Sequence, residues 1–136
     1  MVVAVKIPNP KSAGSKAGRV KGLAKYIAEP ERDNAHEKCV YLGARGFLSS
    51  TFASQVEEMV ALAGECVKSK DPIRHDVITF KEGETPTAQQ VEEAIGLYEK
   101  EMGLQGHQII YGLHVDTDNV HIHIEVNRVH PDMLKA

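Results

Sequence analysis

The sequence predicts an α+β fold, a two-layer sandwich in which helices cover one face of a five-stranded sheet. Two observations support this class. Runs rich in β-branched residues alternate with helical runs in the order βαβαβαββ, and no internal repeat or low-complexity segment interrupts them. A chain of 136 residues, 42% of them hydrophobic, can also bury a core without disulfides or metal. We therefore expect a single domain over residues 1–136.

The predicted strands are short runs of apolar and β-branched residues bounded by turn-forming residues. They span residues 1–7, 38–42, 75–81, 108–115 and 120–129. The last two runs are separated by the polar sequence DTDN, which is typical of the turn in a hairpin. We therefore expect the fourth and fifth strands to pair antiparallel.

Three helices are predicted from apolar residues that recur every three or four positions. The first spans residues 15–29, and the second begins after the N-cap candidates Ser49–Ser50. Thr87 and Gln90 form a capping box at the start of the third helix, and Gly103 ends it. The spacing of these helices leaves one strand between each pair, as the fold class requires.

The charge of the chain is unevenly distributed. The net charge is −3, which excludes a generally basic nucleic-acid binder. Residues 1–28, however, contain six basic and no acidic side chains, so they carry +6 and leave −9 for the remainder. Such a segment can present a basic patch to a polyanion, although a solvated helix face would have the same composition.

The two cysteines and the N-terminus indicate a cytoplasmic protein. Cys39 and Cys66 lie in no metal-ligand or disulfide-like spacing, so we expect reduced thiols. The first apolar run is too short for a signal peptide, and no run approaches the roughly 18 residues of a membrane span. We therefore expect no membrane partner.

The most informative segment is HVDTDNVHIHIEVN, residues 114–127. Because successive side chains of a strand point to opposite faces, His121, His123, Glu125 and Asn127 share one face. The apolar residues between them share the other face and are expected to meet the helices. The histidine face should then be an open sheet surface.

Three histidines on this hairpin predict a metal site. His114 ends the fourth strand, across the turn from His121 and His123, so the three imidazoles can converge on one divalent ion. No cysteine lies nearby, which favours a catalytic ion with open coordination positions. Glu125 is either a further ligand or a support for the ligands, or else a solvated residue, and Asn127 would support the ligands from the same face.

The pattern H-x-D-x4-H-x-H, formed by His114, Asp116, His121 and His123, resembles the third motif of plasmid mobilisation relaxases of the MobA type. These enzymes belong to the HUH endonuclease superfamily. The segment KGLAKYIAE resembles their N-terminal motif, whose nucleophilic tyrosine corresponds to Tyr26. The segment HDVITF resembles the middle motif, with Thr79 where many members have serine. The resemblance covers nearly the whole chain and implies a five-stranded antiparallel sheet backed by helices.

The pattern of the tyrosines also separates Tyr26 from the others. Tyr98 lies on the predicted buried stripe of the third helix, and Tyr41 and Tyr111 lie within strands, so packing accounts for all three. Tyr26 flanks the apolar stripe of the first helix among basic residues. A phenol in that position can attack a phosphate.

The resemblance implies a relaxase that nicks one strand of DNA at a plasmid origin of transfer and remains attached through a 5′-phosphotyrosyl bond. Tyr26 would attack, Mg²⁺ or Mn²⁺ on the three histidines would stabilise charge, and Asp116 would orient a histidine or take the tyrosine proton. Contacts to single-stranded DNA would come from Lys6, Lys21, Lys25 and Thr79. Accessory mobilisation proteins are the other expected partners.

Two alternatives come from other classes. A histidine-triad nucleotide hydrolase would need histidine at position 125, where this chain has glutamate. A non-catalytic DNA-binding or replication module on the same fold stays open, although replication initiators usually carry their tyrosine after the histidine motif.

The chain ends at Ala136, where relaxase domains usually continue into further helices, so it is compatible with a piece of a longer protein.

Overall fold

The computed structural model describes residues 3–8, 15–32, 36–66, 71–116 and 119–132. Within them, five strands and three α-helices follow the predicted order. Their bounds are β1 Val3–Ile7, α1 Lys16–Ala28, β2 Lys38–Arg45, α2 Phe52–Glu65, β3 Ile73–Thr79, α3 Ala88–Met102, β4 Ile109–Val115 and β5 Val120–Asn127. A short 3-10 helix, Pro30–Arg32, follows α1.

The five strands form one antiparallel sheet in the order β1-β3-β5-β4-β2. This confirms the α+β class and the predicted hairpin of β4 and β5. The hairpin lies inside the sheet, with β3 beside β5 and β2 beside β4. The strands that carry the histidine motif are therefore held by hydrogen bonds on both sides.

The helices are divided between the two faces of the sheet, whereas the sequence pattern predicted one helical face. On one face α3 packs on Ile109, Tyr111 and neighbouring apolar residues of β3 and β5. On the other face α1 and α2 pack on Ile73 and Ile110. The physical reason is that β4 is apolar on both faces at Ile109 and Ile110, and each face must be covered.

Several element ends differ from their predicted positions. The N-cap of α2 is Thr51, whose Oγ1 accepts a hydrogen bond from the Ser54 amide, and Ser49 instead contacts Glu58. Strand β2 continues past Gly43, where a Cβ would lie 2.4 Å from the Tyr111 ring, so the missing side chain makes room for that ring. The capping box and the left-handed Gly103 of α3 are confirmed.

A polar network fixes α3 to the sheet. The Glu92 carboxylate accepts hydrogen bonds from the hydroxyls of Tyr41 and Tyr111, each at 2.6 Å, and from Arg45 at 3.0 Å. Arg45 also contacts Glu99, which lies about two turns beyond Glu92 on α3. The network joins β2, β4 and α3, so it sets the position of the helix relative to the strands.

We expect Glu92→Gln to lower the free energy of unfolding at pH 7. Burial opposes ionisation, but hydrogen bonds from Tyr111, Tyr41 and Arg45 hold the pKa of Glu92 below its ordinary value of 4.5. The loss should be about 1.5 kcal/mol, the lower end for hydrogen bonds to charged groups, because 35% of the side chain is exposed.

The pH dependence of this loss tests its cause. A carboxyl whose pKa is lower in the folded state stabilises the fold above its unfolded pKa and loses that contribution as the pH falls through the folded value. Urea unfolding should therefore show wild type and variant converging below pH 4.5. Glu101→Gln, on an exposed position of the same helix, is the control and should change little. A difference that stays constant down to pH 3 would contradict this account.

Candidate active site

The C-terminal end of α1 lies directly on the histidine face of the sheet. It can approach because residue 112 is glycine: a Cβ there would lie 2.8 Å from Ile27 Cγ2 and 3.0 Å from the Ile27 carbonyl oxygen. Gly112 and His114 are alternate residues of β4 and share this face. The face that was expected to be open is therefore covered, and Tyr26 is brought against the histidines.

Tyr26 contacts a carboxylate and two imidazoles. Its hydroxyl donates a hydrogen bond to Glu37 Oε2 at 2.8 Å. Its ring centroid lies 5.5 Å from that of His114 and 5.2 Å from that of His123, with both ring pairs nearly perpendicular. This arrangement places the phenol beside groups that can accept its proton.

The proton of His114 is located by its partners. His114 is fully buried, and its Nε2 lies 2.7 Å from the Ile27 carbonyl oxygen. A carbonyl oxygen only accepts, so Nε2 carries a proton and a neutral His114 has its lone pair on Nδ1. Nδ1 lies 3.3 Å from Glu37 Oε2. The lone pairs of Nδ1 and Oε2 repel each other at this distance unless a proton or a cation lies between them.

Burial keeps two further histidines uncharged. It lowers the pKa of His123 to about 3 and that of His75 to about 4, with help from neighbouring positive groups. His75 Nε2 and His123 Nδ1 share a hydrogen bond of 2.9 Å. Both rings are therefore neutral at pH 7, the state in which imidazole binds a metal ion.

His121 and Thr79 lie at the edge of the same cluster. The Thr79 hydroxyl is 3.4 Å from His121 Nδ1, and the His121 ring centroid is 6.2 Å from that of His123. His121 is half-buried, so it faces solvent more than His114 or His123. The sheet therefore brings together the three predicted histidines, Tyr26 and Thr79.

One group of three potential ligands has the geometry of a metal site within the described residues. Glu37, His114 and His123 each offer an atom, and these atoms lie within 4.8 Å of one another. Imidazole nitrogens and a carboxylate oxygen are donors that suit a divalent ion. A cation would also stabilise the facing lone pairs of His114 Nδ1 and Glu37 Oε2. His114 and His123 of the predicted ligand set therefore fit a divalent ion together with Glu37, whereas His121 lies outside this group of atoms.

Glu37 and His75 are the site residues that the sequence pattern missed. Glu37 lies in a polar loop without periodicity, and it reaches the site because β2 pairs with β4 and aligns Cys39 with His114. His75 belongs to the segment that resembles the middle relaxase motif. The signal that could have identified it is the strand alternation, which puts His75 on the same face as Val77.

Three other predicted residues have different surroundings. Asp116 Oδ1 accepts a hydrogen bond from the Asn119 amide and so shapes the turn between β4 and β5. Asn127 is buried and bonds to Gln108 and to the Val129 amide at the far end of β5. Glu125 is fully buried, its carboxylate oxygens have no hydrogen-bond partner among the described residues, and burial raises its pKa well above the ordinary value. Glu125 is therefore not a solvated residue.

The predicted DNA-binding lysines are spread over the molecule. Lys25 is exposed on the last turn of α1, next to Tyr26 in sequence. Lys21 lies 3.8 Å from Glu57 of α2. Lys6 aligns with Asp76 in the β1–β3 register, which puts it on the face covered by α3, away from Tyr26. Of the three, Lys25 is the nearest to Tyr26 in the sequence.

We expect Gly112→Ala to disturb the site by moving α1 away from the sheet. The added methyl group would overlap Ile27, and such overpacking lowers the free energy of unfolding by about 1–3 kcal/mol. Gly22→Ala is the matched control, because a Cβ at this position of α1 meets no atom within 4 Å. That control should stabilise the helix by about 0.5–1 kcal/mol. Urea unfolding measures both, and losses of equal size would contradict the proposed role of Gly112.

No helix among the described residues combines the length and the apolar character needed to cross a membrane.

Comparison with known proteins assigns the chain to a family. Residues 26–136 match the model of the relaxase family described as MobA/VirD2-like, nuclease domain. The chain is 54% identical over 78 residues to protein MobA of Acidithiobacillus ferrooxidans, covering 57% of this chain and 19% of MobA. It is 31% identical over 114 residues to a protein TraI of Escherichia coli, covering 81% of this chain and 15% of TraI. It thus spans less than a fifth of these relatives, and it belongs to the MobA/VirD2-like relaxase nuclease domains.

Proposed function

We propose that this chain nicks single-stranded DNA by transesterification at Tyr26 and so starts the mobilisation of a plasmid from its origin of transfer. The observation that carries the proposal is the Tyr26 hydroxyl, which donates to Glu37 at 2.8 Å while the Tyr26 ring lies against the rings of His114 and His123. Membership of the relaxase family supports it, as do the names of the relatives MobA and TraI.

In the proposed reaction the Tyr26 oxygen forms a bond to the scissile phosphorus while the bond from phosphorus to the 3′-oxygen breaks. A phenol with a pKa of about 10 is a weak nucleophile at neutral pH and needs a proton acceptor. Glu37 Oε2 already accepts the hydrogen bond of the hydroxyl, so it takes the proton as the new bond forms. The departing 3′-oxygen takes a proton from solvent, so the products are a free 3′-hydroxyl and a 5′-phosphotyrosyl bond, which remains a phosphodiester and permits the reverse reaction.

We propose that His114, His121 and His123 hold a divalent ion, Mg²⁺ or Mn²⁺, next to Glu37. When bound, the ion polarises a non-bridging oxygen of the scissile phosphate and offsets the charge that develops there. The residues contribute lone pairs: burial keeps His123 neutral, and the Ile27 carbonyl holds the proton of His114 on Nε2.

The unpaired DNA strand would reach Tyr26 from the end of the sheet at which His121 and Thr79 lie. Thr79 contacts His121 and can bind a phosphate oxygen there. Lys25 is exposed beside Tyr26 in sequence and would neutralise a neighbouring phosphate, with Lys21 and Lys6 contacting the strand further away. We also propose that accessory mobilisation proteins act with the complete relaxase.

We expect Tyr26→Phe to abolish formation of a covalent adduct with DNA, because the change removes one oxygen atom and little else. The chain is incubated with single-stranded oligonucleotides from plasmid transfer origins and Mn²⁺, and adducts are separated by denaturing electrophoresis. Folding, Mn²⁺ affinity and DNA binding should persist in the variant.

Tyr41→Phe is the control, since its hydroxyl bonds to Glu92 on the opposite face of the sheet. It should form the adduct as wild type does. Peptide mapping that located the phosphotyrosyl bond at another residue would refute the role of Tyr26. DNA binding by wild type without any adduct would favour the non-catalytic module instead.

The proton acceptor can be identified by comparing Glu37→Gln with Asp116→Asn. Each change keeps the size of the side chain and removes its ability to take a proton. We expect Glu37→Gln to slow adduct formation by about 10²–10⁴-fold, the range for general-base catalysis. Asp116→Asn should have a much smaller effect, because its Oδ1 accepts from the Asn119 amide in the turn. The reverse order of the two rates would assign the role to Asp116.

A further inference from the structure

His75 lies behind the proposed metal site and contacts one of its ligands. It is buried on β3, a strand paired on both sides, so its position is fixed by β1 and β5. In the β3–β5 register it aligns with Glu125, and Val77 aligns with His123. The His75 ring therefore reaches diagonally along the sheet to place Nε2 at 2.9 Å from His123 Nδ1.

This contact is the hydrogen bond that accounts for a buried imidazole at position 75. The flanking residues of β3 on the same face, Ile73 and Val77, are apolar and buried. An unpaired polar ring in such a place would lower stability, whereas the bond to His123 compensates for burying both rings. An apolar side chain at position 75 would fill the space but would leave His123 Nδ1 without this partner.

Either ring can donate this bond, and the two choices have different consequences for metal binding. If His75 donates from Nε2, then neutral His123 carries its own proton on Nε2 and has no lone pair left for an ion. If His123 donates from Nδ1, its Nε2 lone pair is available. The same logic applies to His114. Its Nε2 donates a hydrogen bond to the Ile27 carbonyl oxygen, so the lone pair of a neutral His114 is available on Nδ1.

We propose that His75 is a positioning residue that accepts a hydrogen bond from His123 Nδ1 through its Nε2 and thereby presents the His123 Nε2 lone pair to the metal site. The inference rests on the proposed metal site. Its chemical basis is general, since partners that bond to the second nitrogen of a ligating histidine fix the ring and its tautomer. His75 and the Ile27 carbonyl would perform this task for two ligands, His123 and His114.

The first test needs neither metal nor activity. Long-range ¹H–¹⁵N correlation spectra of the metal-free chain at neutral pH distinguish protonated from unprotonated ring nitrogens. We expect wild-type His123 to be protonated on Nδ1. His75→Gln should keep this tautomer, because the amide oxygen can accept the bond, whereas His75→Phe should shift His123 towards Nε2 protonation. A wild-type His123 that is protonated on Nε2 would overturn the proposal without reference to any variant.

The second test measures Mn²⁺ affinity by titration calorimetry on the same three proteins. His75→Phe should weaken binding by about 10–100-fold, as for other changes to residues that support a ligand, and His75→Gln should restore most of it. His130→Gln is the control, since His130 packs on His107 at the other end of the sheet. Unchanged affinity in His75→Phe would refute the proposal. If wild type binds no Mn²⁺, the metal site itself fails, while the tautomer still decides the role of His75.

Discussion

The contact between Ile27 of α1 and Gly112 of β4 is the constraint on which the site depends. A Cβ at residue 112 would lie 2.8 Å from Ile27 Cγ2 and 3.0 Å from the Ile27 carbonyl oxygen, so glycine at this position gives the helix the room it needs. At that distance the carbonyl accepts the proton of His114, and the preceding residue, Tyr26, reaches Glu37. One close approach of helix to sheet thus orients the proposed nucleophile and a metal ligand together.

The second general feature is that the histidines are buried beneath a helix. In an open sheet surface they would titrate near their ordinary pKa and be partly charged at neutral pH. Covered by α1, His75 and His123 are neutral and hydrogen-bonded to each other. The low-dielectric surroundings also strengthen every electrostatic contact around the Tyr26 hydroxyl. Covering the site therefore favours both the proposed metal binding and the proposed phosphoryl transfer.

The two faces of the sheet have different tasks. On the α3 face, Glu92 joins two tyrosines and Arg45 in a network that holds the helix, and a large apolar cluster surrounds it. On the α1 face, polar groups interrupt the apolar packing, and the buried Glu125 has no hydrogen-bond partner in the part of the chain that the structure describes. The packing on the α3 face contributes stability, and this offsets the stability lost by burying polar groups on the α1 face.

The sequence by itself determined the element order, the hairpin and the shared face of His121 and His123, because alternation along a strand is a local property. It also determined the helix that carries Tyr26. Only the tertiary structure decided that Glu37 and His75 join them, because the pairing of β2 with β4 and of β3 with β5 connects residues far apart in sequence. It likewise divided the helices between both faces, since the adjacent Ile109 and Ile110 point in opposite directions and both must be buried.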